Sequence, residues 1–158
     1  MGRPDQFIPH LIVNDGLAAL KFYQEVFGAE AGDHMMASDG KRLMHGEIRL
    51  DGHVLFVSDE FTRAEGGMCQ QPETLGGTSV RVTLMTDDAD AVFQRATERG
   101  AQVLMPVQDM FWGARYGQFR DPFGHVWGVN QQLQEQTEAE TKAAAEEFFA
   151  KRKARADE

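Results

Sequence analysis

The chain contains an internal duplication, which constrains its fold more than any other feature. Residues 7–61 and residues 79–132 share one order of patterns: a strand, a helix and three further strands. A stretch rich in Gly, Pro and Gln, EGGMCQQPETLGGTS, separates them. Asp15 of the first segment aligns with Asp88 of the second, and each helix pattern closes on a glycine. The sequence therefore predicts two βαβββ modules.

Local signals define the elements of each module. In the first, the helix NDGLAALKFYQEVFGAE can be capped by Asn14 or Asp15 and stops at Gly28. Its strands are predicted in FIPHLIV, DHMMAS, RLMHGEIRL and HVLFVSD, with Asp-Gly turns between the later ones. The second module repeats this plan with SVRVTLM, TDDADAVFQRATERG, AQVLMPVQ, RYGQFRD and HVWGVNQQ. Because neither module can bury a sheet face alone, we expect an α+β fold whose paired modules form a curved mixed sheet enclosing a cavity.

A change of composition marks the end of this domain. We assign residues 1–132 to one domain and residues 133–158, rich in Ala, Glu and Lys, to a helical extension. Thr137 followed by Glu140 fits a capping box, and the basic run KRKAR suits the other end of a helix dipole. Phe148 and Phe149 indicate that this helix packs on the domain or on a second subunit, and a frayed, exposed extension is the alternative.

The charge and the cysteine content exclude several classes of partner and of covalent or metal cross-link. Sixteen Lys and Arg against 25 Asp and Glu give a formal net charge of −9, which repels nucleic acid and anionic lipid surfaces. No signal-type segment and no apolar run of roughly 20 residues is present, so we expect a cytoplasmic protein that does not span a membrane. Cys69 is the single cysteine, which excludes an intrachain disulfide and a thiolate zinc cluster.

The segment LMHGEIRL contains two potential metal ligands. Side chains alternate between the two faces of a strand, so His45 and Glu47 are predicted to share one face. The same pair could also form a solvated surface or the polar wall of a pocket.

Three segments carry a resemblance to a known family. They are PHLIVNDGLAALKFYQEVFGAE, LMHGEIRLDGHVLFVSDE and the stretch from VTLMTDDADAVF to FWGARYGQFRDPFGHVWGVN, and together they cover nearly all of residues 7–130. These segments resemble the vicinal oxygen chelate superfamily, which includes glyoxalase I and the bleomycin-resistance proteins, and within it the PhnB-like branch. The resemblance implies a homodimer in which modules of two chains line each cavity. It leaves the reaction open, because members include isomerases, lyases, dioxygenases and proteins that only sequester a drug.

The resemblance also implies four metal-ligand positions, typically His or Gln, Glu, His and Glu. Aligning the two repeats carries these positions onto Ile8, Glu47, Arg81 and Gly128. Only Glu47 can donate to a cation, because isoleucine and glycine offer no donor and a guanidinium is itself positive. We therefore predict a pocket without a metal cofactor, in which Glu47 pairs with Arg81.

A shifted metal site is the alternative. His10 shares a face with Ile8, as His45 does with Glu47, so His10, His45 and Glu47 could bind a divalent metal such as Zn, Ni or Mn.

The second module contributes aromatic candidates. Trp112 and Tyr116 suit a loop that folds over a cavity mouth and stacks on a flat ligand. A Trp112 that merely fills the core is equally compatible with this sequence.

These residues support two functions. The first is a metal-free binding protein for a small organic molecule, aromatic or cationic in part, contacted by His10, His45, Glu47, Arg81, Trp112 and Tyr116. The second is a metal-dependent lyase, isomerase or dioxygenase. In that enzyme Glu47 would be the catalytic base, and a rebuilt metal site or Arg81 would stabilise a developing enolate.

Overall fold

The computed structural model describes residues 5–156 and shows two four-stranded mixed sheets, each with a helix against one face. The first module contains β1 (His10–Val13), α1 (Gly16–Phe27), β2 (Glu30–Met36), β3 (Leu43–Leu50) and β4 (His53–Asp59), with sheet order β1-β4-β3-β2. The linker holds a 3-10 turn (Arg63–Glu65) and the short helix α2 (Pro72–Leu75). The second module contains β5 (Arg81–Met85), α3 (Ala89–Glu98), β6 (Gln102–Asp109), β7 (Ala114–Arg120) and β8 (Val126–Gln132), with sheet order β5-β8-β7-β6. Helix α4 (Glu138–Ala156) follows. The predicted α+β class, the duplicated βαβββ order and the C-terminal helix are confirmed.

Both modules share one strand pairing scheme. The first strand of each lies parallel to the last, and the other pairs are antiparallel. Strand β1 begins at His10, later than the predicted start at residue 7, because Pro9 has no N–H to donate. The Pro9 carbonyl still accepts a hydrogen bond of 2.9 Å from the Phe56 amide.

The duplication extends to single hydrogen bonds. Asp15 and Asp88 each cap a helix, accepting from the amides of Ala18 and Ala91 at 3.0 and 2.9 Å. The first amide of each helix also donates to a side chain of the last strand of its module. Asp59 accepts from the Gly16 amide and Gln131 accepts from the Ala89 amide, both at 3.1 Å, so the contact is repeated with a different acceptor. The two modules are therefore variants of one structural unit.

The predicted Asp-Gly hairpin between β3 and β4 is also confirmed. Asp51 has φ 47° and Gly52 has φ 81°, so both central residues of this two-residue loop adopt the left-handed conformation. Such a loop matches the twist of the strands it joins, which fixes the pairing register of β3 and β4.

A single buried core joins the modules on their helix-covered sides. Tyr23 of α1 contacts Trp127 of β8 at a ring separation of 5.3 Å, and Arg95 of α3 donates to the Val26 carbonyl at 2.8 Å. The two sheets have no hydrogen-bonded strand pair in common within residues 5–156. Each sheet also keeps a face that no helix covers, as the exposed His10 and Arg49 of the first and Arg81 and Thr83 of the second indicate.

Strand β8 ends at Gln132 and α4 begins at Glu138. The division into a domain of residues 1–132 and an extension of residues 133–158 stays a prediction, and its outer ends, residues 1–4 and 157–158, lie outside the described part. Over that described part, none of the helices combines the length and the apolar character that crossing a bilayer requires.

Candidate functional site

The uncovered face of the first sheet, here called the first open face, carries the predicted site residues His10, His45 and Glu47. Glu47 of β3 lies opposite Phe56 of β4, which lies opposite His10 of β1, so Glu47, Phe56 and His10 form one row across the sheet. Gly46 and Ile48 of β3 are buried on the other side, towards α1. The predicted alternation is therefore observed from His45 to Arg49. It fails at the start of the strand, where Leu43 is fully buried beside Gly16 and Met44 is 46% exposed, next to an irregular pairing of β2 with β3.

Glu47 is the electrostatic centre of this face. Its Oε2 accepts from Arg49 Nη2 at 2.6 Å and from Arg49 Nε at 3.1 Å, and its Oε1 lies 3.4 Å from His45 Nε2. The Arg49 guanidinium, and to a smaller extent His45, hold the pKa of Glu47 below its usual value. The carboxylate is therefore charged at neutral pH and a weaker base than a free glutamate.

The ion-pair partner of Glu47 differs from the predicted one. Arg81 lies on β5 of the other sheet, whereas Arg49 lies two positions along the same strand and reaches the carboxylate directly. The alternation that placed His45 beside Glu47 also places Arg49 there, so this contact was accessible from the sequence.

His10 is placed by the parallel pairing of β1 with β4. Its Nε2 lies 3.0 Å from Ser58 Oγ, and its ring centroid lies 6.5 Å from that of His45. Partial burial and the neighbouring His45 lower the pKa of His10, which favours the neutral imidazole at physiological pH. Sequence reasoning missed Ser58, because its contact depends on a register between residues far apart in the chain.

The residues of the alternative metal site share this face without forming a cage. Within residues 5–156 no group of three or more His, Cys, Asp or Glu side chains is arranged to hold a metal ion. Glu47 is already engaged by the Arg49 cation.

The uncovered face of the second sheet, here called the second open face, carries the other predicted residues. Thr83, Gly128 and Gln118 form a row that matches the row of the first open face. Tyr116 is only 8% exposed, and its Oη lies 2.7 Å from the point where a Cβ of Gly128 would be. The Trp112 ring lies 5.8 Å from that of Tyr116. Trp112 thus borders this face at the loop between β6 and β7.

These two rows correct the alignment of the repeats. In the paired sheets Glu47 corresponds to Gln118, and Gly128 corresponds to Phe56, so Glu47 and Gly128 are not equivalent positions. Neither Phe56 nor Gly128 offers an electron pair to a cation. The Oη of Tyr116 and the Oγ1 of Thr83 also crowd the space above Gly128, so the residues at these paired positions do not fit the metal of the family pattern.

A concavity of about 380 Å³ lies on the first open face and is lined in part by Ile8, Glu47, Arg49 and Phe56. A larger one, of about 600 Å³, lies under the linker and is lined by Arg42, Asp59, Phe61, Cys69 and Gln71 among others. It contains none of the predicted site residues. We place the candidate site on the open faces, because the first carries the imidazoles and the carboxylate and the second is bordered by the aromatic rings.

Comparisons with known proteins agree with this architecture. A profile of the glyoxalase/bleomycin resistance protein/dioxygenase superfamily matches residues 4–129. Protein Mb0911c of Mycobacterium bovis is 40% identical over 136 residues, covering 86% of this chain and 89% of that protein.

Two solved structures share the fold. Protein PA1353 from Pseudomonas aeruginosa superposes with a TM-score of 0.65 at 26% identity, covering 82% of this chain and 98% of that one. The PhnB protein from Bacillus cereus, described as a putative 3-demethylubiquinone-9 3-methyltransferase, gives 0.59 at 18% identity, with coverage of 80% and 99%. The chain belongs to the glyoxalase/bleomycin resistance protein/dioxygenase superfamily.

Proposed function

We propose that this protein binds a small organic molecule in a metal-free pocket. The observation that carries the proposal is the position of Tyr116. Its hydroxyl fills the space above Gly128, where a carboxylate ligand would have to begin, and Phe56 occupies the matching position of the first sheet. A pocket with these residues recognises a guest by hydrogen bonds and ring stacking rather than by coordination.

The guest that best suits these faces is flat, aromatic and cationic. The half-buried Trp112 offers ring surface beside the second open face, with the buried Tyr116 ring packed against it, and Glu47 offers a carboxylate on the first. The formal net charge of −9 attracts cations to the whole molecule. The superfamily description names bleomycin resistance, which is consistent with capture of a drug-like molecule.

The pocket belongs, in this proposal, to a homodimer. Met85 of the second open face is 62% exposed, and His10, Arg81 and Thr83 are also exposed. Because the two open faces are separate within one chain, the first face of one subunit and the second face of its partner would close one pocket. An isologous dimer of this kind contains two such pockets.

The test begins with protein purified without added metal or chelator. We expect elemental analysis to find no stoichiometric Ni, Zn or Mn, and calorimetry to show binding of proflavine or metal-free bleomycin without added ions. Stoichiometric metal whose removal abolishes binding would contradict the proposal. Trp112→Ala should weaken binding about tenfold through loss of a stacking contact.

Mixed dimers test whether the pocket is shared. One variant carries Glu47→Ala with His10→Ala on the first face, and the other carries Trp112→Ala on the second. After joint refolding, about one quarter of the sites should be intact, because each heterodimer combines one unaltered first face with one unaltered second face. Recovery of no site would assign the pocket to a single chain.

A second candidate function, a lyase or isomerase, is favoured by His10. A neutral imidazole near His45 and Glu47 can accept a proton, whereas the Arg49-bound carboxylate is a weaker base. Turnover with added metal that is lost in Glu47→Gln would support the original assignment of Glu47 as base. Loss of turnover in His10→Gln alone would support His10 as the base.

The cytoplasmic location stays a prediction from the sequence.

A further inference from the structure

Helix α4 contacts the domain along one narrow stripe. Thr141, Ala144 and Ala145 are half-buried, and Phe148, which is 39% exposed, continues this i, i+3, i+4, i+7 spacing. The other residues of α4 up to Arg155 are exposed. The helix therefore presents a single side to the rest of the protein.

This stripe meets the loop between β6 and β7. The Phe111 ring lies 5.1 Å from Phe148 and 6.1 Å from Phe149. Phe111 also contacts Trp112 edge to face at 4.9 Å, and Trp112 contacts Tyr116 at 5.8 Å. A continuous series of ring contacts thus runs from α4 to the second open face.

The rest of the loop is fixed by the segment that leads into α4. The Gly113 carbonyl accepts hydrogen bonds from the Leu133 and Gln134 amides at 3.0 and 3.1 Å. Gly113 has φ 78°, and a Cβ there would lie 2.8 Å from the Gln134 carbonyl oxygen, so only glycine permits this approach. One end of the loop is therefore tied by the backbone, while Phe111 and Trp112 at its tip are held through their rings.

We propose that Phe148 and Phe149 are positioning residues for ligand binding. They hold Phe111, and through it Trp112, beside the second open face, so that α4 sets the affinity of the pocket for a flat aromatic guest. The statement about affinity rests on the proposed function. The statement about the position of Trp112 does not, since it concerns the ligand-free protein.

The experiment uses the full chain with Phe148→Ala and Phe149→Ala together. Acrylamide quenching of tryptophan fluorescence reports Trp112, because Trp127 is 3% exposed and contributes little. We expect increased quenching without ligand and about tenfold weaker binding of proflavine by calorimetry. Replacing both residues with Leu should restore part of each effect. The control, Glu146→Ala with Arg152→Ala at exposed positions of the same helix, should change neither.

Each outcome decides one statement. Quenching and affinity equal to those of the control variant overturn the positioning role, and so does weaker binding with unchanged quenching. If the unaltered protein does not bind proflavine while quenching still rises in the Ala variant, the positioning of Trp112 stands and the proposed class of guest fails.

Discussion

The hydroxyl of Tyr23 donates a hydrogen bond of 2.7 Å to the Oδ2 atom of Asp121, linking α1 of the first module to the turn before β8 in the second. Asp121 is 4% exposed and also accepts from Trp127 Nε1 at 2.8 Å and from the amides of Phe123 and His125, both at 2.9 Å. Burial and the neighbouring carboxylate raise the pKa of Tyr23. This phenol is therefore a permanent donor that joins the two modules through their core.

We expect Tyr23→Phe to destabilise the protein by about 1–3 kcal/mol, because the buried Asp121 carboxylate loses one of its donors. Urea unfolding followed by circular dichroism measures the change. Tyr116→Phe makes the same chemical change on an open face and should cost less. Equal losses for the two variants would show that the link to Asp121 has no special importance.

A second prediction concerns the side chain that accepts a hydrogen bond from the first helical amide, which is Asp59 in the first module and Gln131 in the second. Asp59 accepts from the buried amides of Gly16 and Leu43, at 3.1 and 2.6 Å, whereas Gln131 accepts from the single amide of Ala89. Asp59→Ala leaves two donors unpaired and should cost about 2–5 kcal/mol, while Gln131→Ala should cost about 1–2 kcal/mol. Thermal and urea unfolding of both variants check this order, and a reversed order would contradict the argument.

The elements predicted well from the sequence are those fixed by neighbouring residues. Asp15 caps α1, Gly28 ends it in the left-handed conformation, and the turn at Asp51 and Gly52 follows from local backbone chemistry. The helix signals recur in the second half at Asp88 and Gly100, which is why the duplicated order of elements follows from them, whereas the turn before β8 is longer and has a positive φ only at Gly124.

The errors concern relations across the sheets. The equivalence assumed between Glu47 and Gly128 failed because it depends on which strand lies beside the first strand of each module. The predicted ion pair between Glu47 and Arg81 required the two open faces to meet within one chain. The observed partner is Arg49, which lies on the same strand as Glu47. Strand order and register are set by contacts between distant residues, which a pattern within one strand does not contain.

The ion pair of Glu47 predicts a dependence of stability on pH. Arg49 lowers the folded-state pKa of Glu47 below its ordinary value of 4.5. The ion pair therefore makes its full contribution to the free energy of unfolding above that value and loses it as the pH falls through the folded-state pKa. Glu47→Gln should therefore lower the free energy of unfolding at about pH 7, by less than about 1 kcal/mol because Arg49 is half exposed, and have a smaller effect at about pH 3. Urea titrations at both pH values measure it. In an Arg49→Gln background the difference between the two pH values should shrink.

The close approach of Tyr116 to Gly128 gives the prediction most directly related to the pocket. A Cβ at residue 128 would lie 2.7 Å from Tyr116 Oη and 2.9 Å from Thr83 Oγ1, so Gly128→Ala should destabilise the protein by about 1–3 kcal/mol through overpacking. Removing the hydroxyl with Tyr116→Phe relieves the nearer of these contacts. The double variant should therefore be more stable than the sum of the single effects predicts, by about 0.5 kcal/mol or more. A double-mutant cycle in urea measures this coupling. Strict additivity would mean that the hydroxyl does not occupy the space above Gly128 in solution, and the argument for a pocket without a carboxylate ligand at that position would lose its basis.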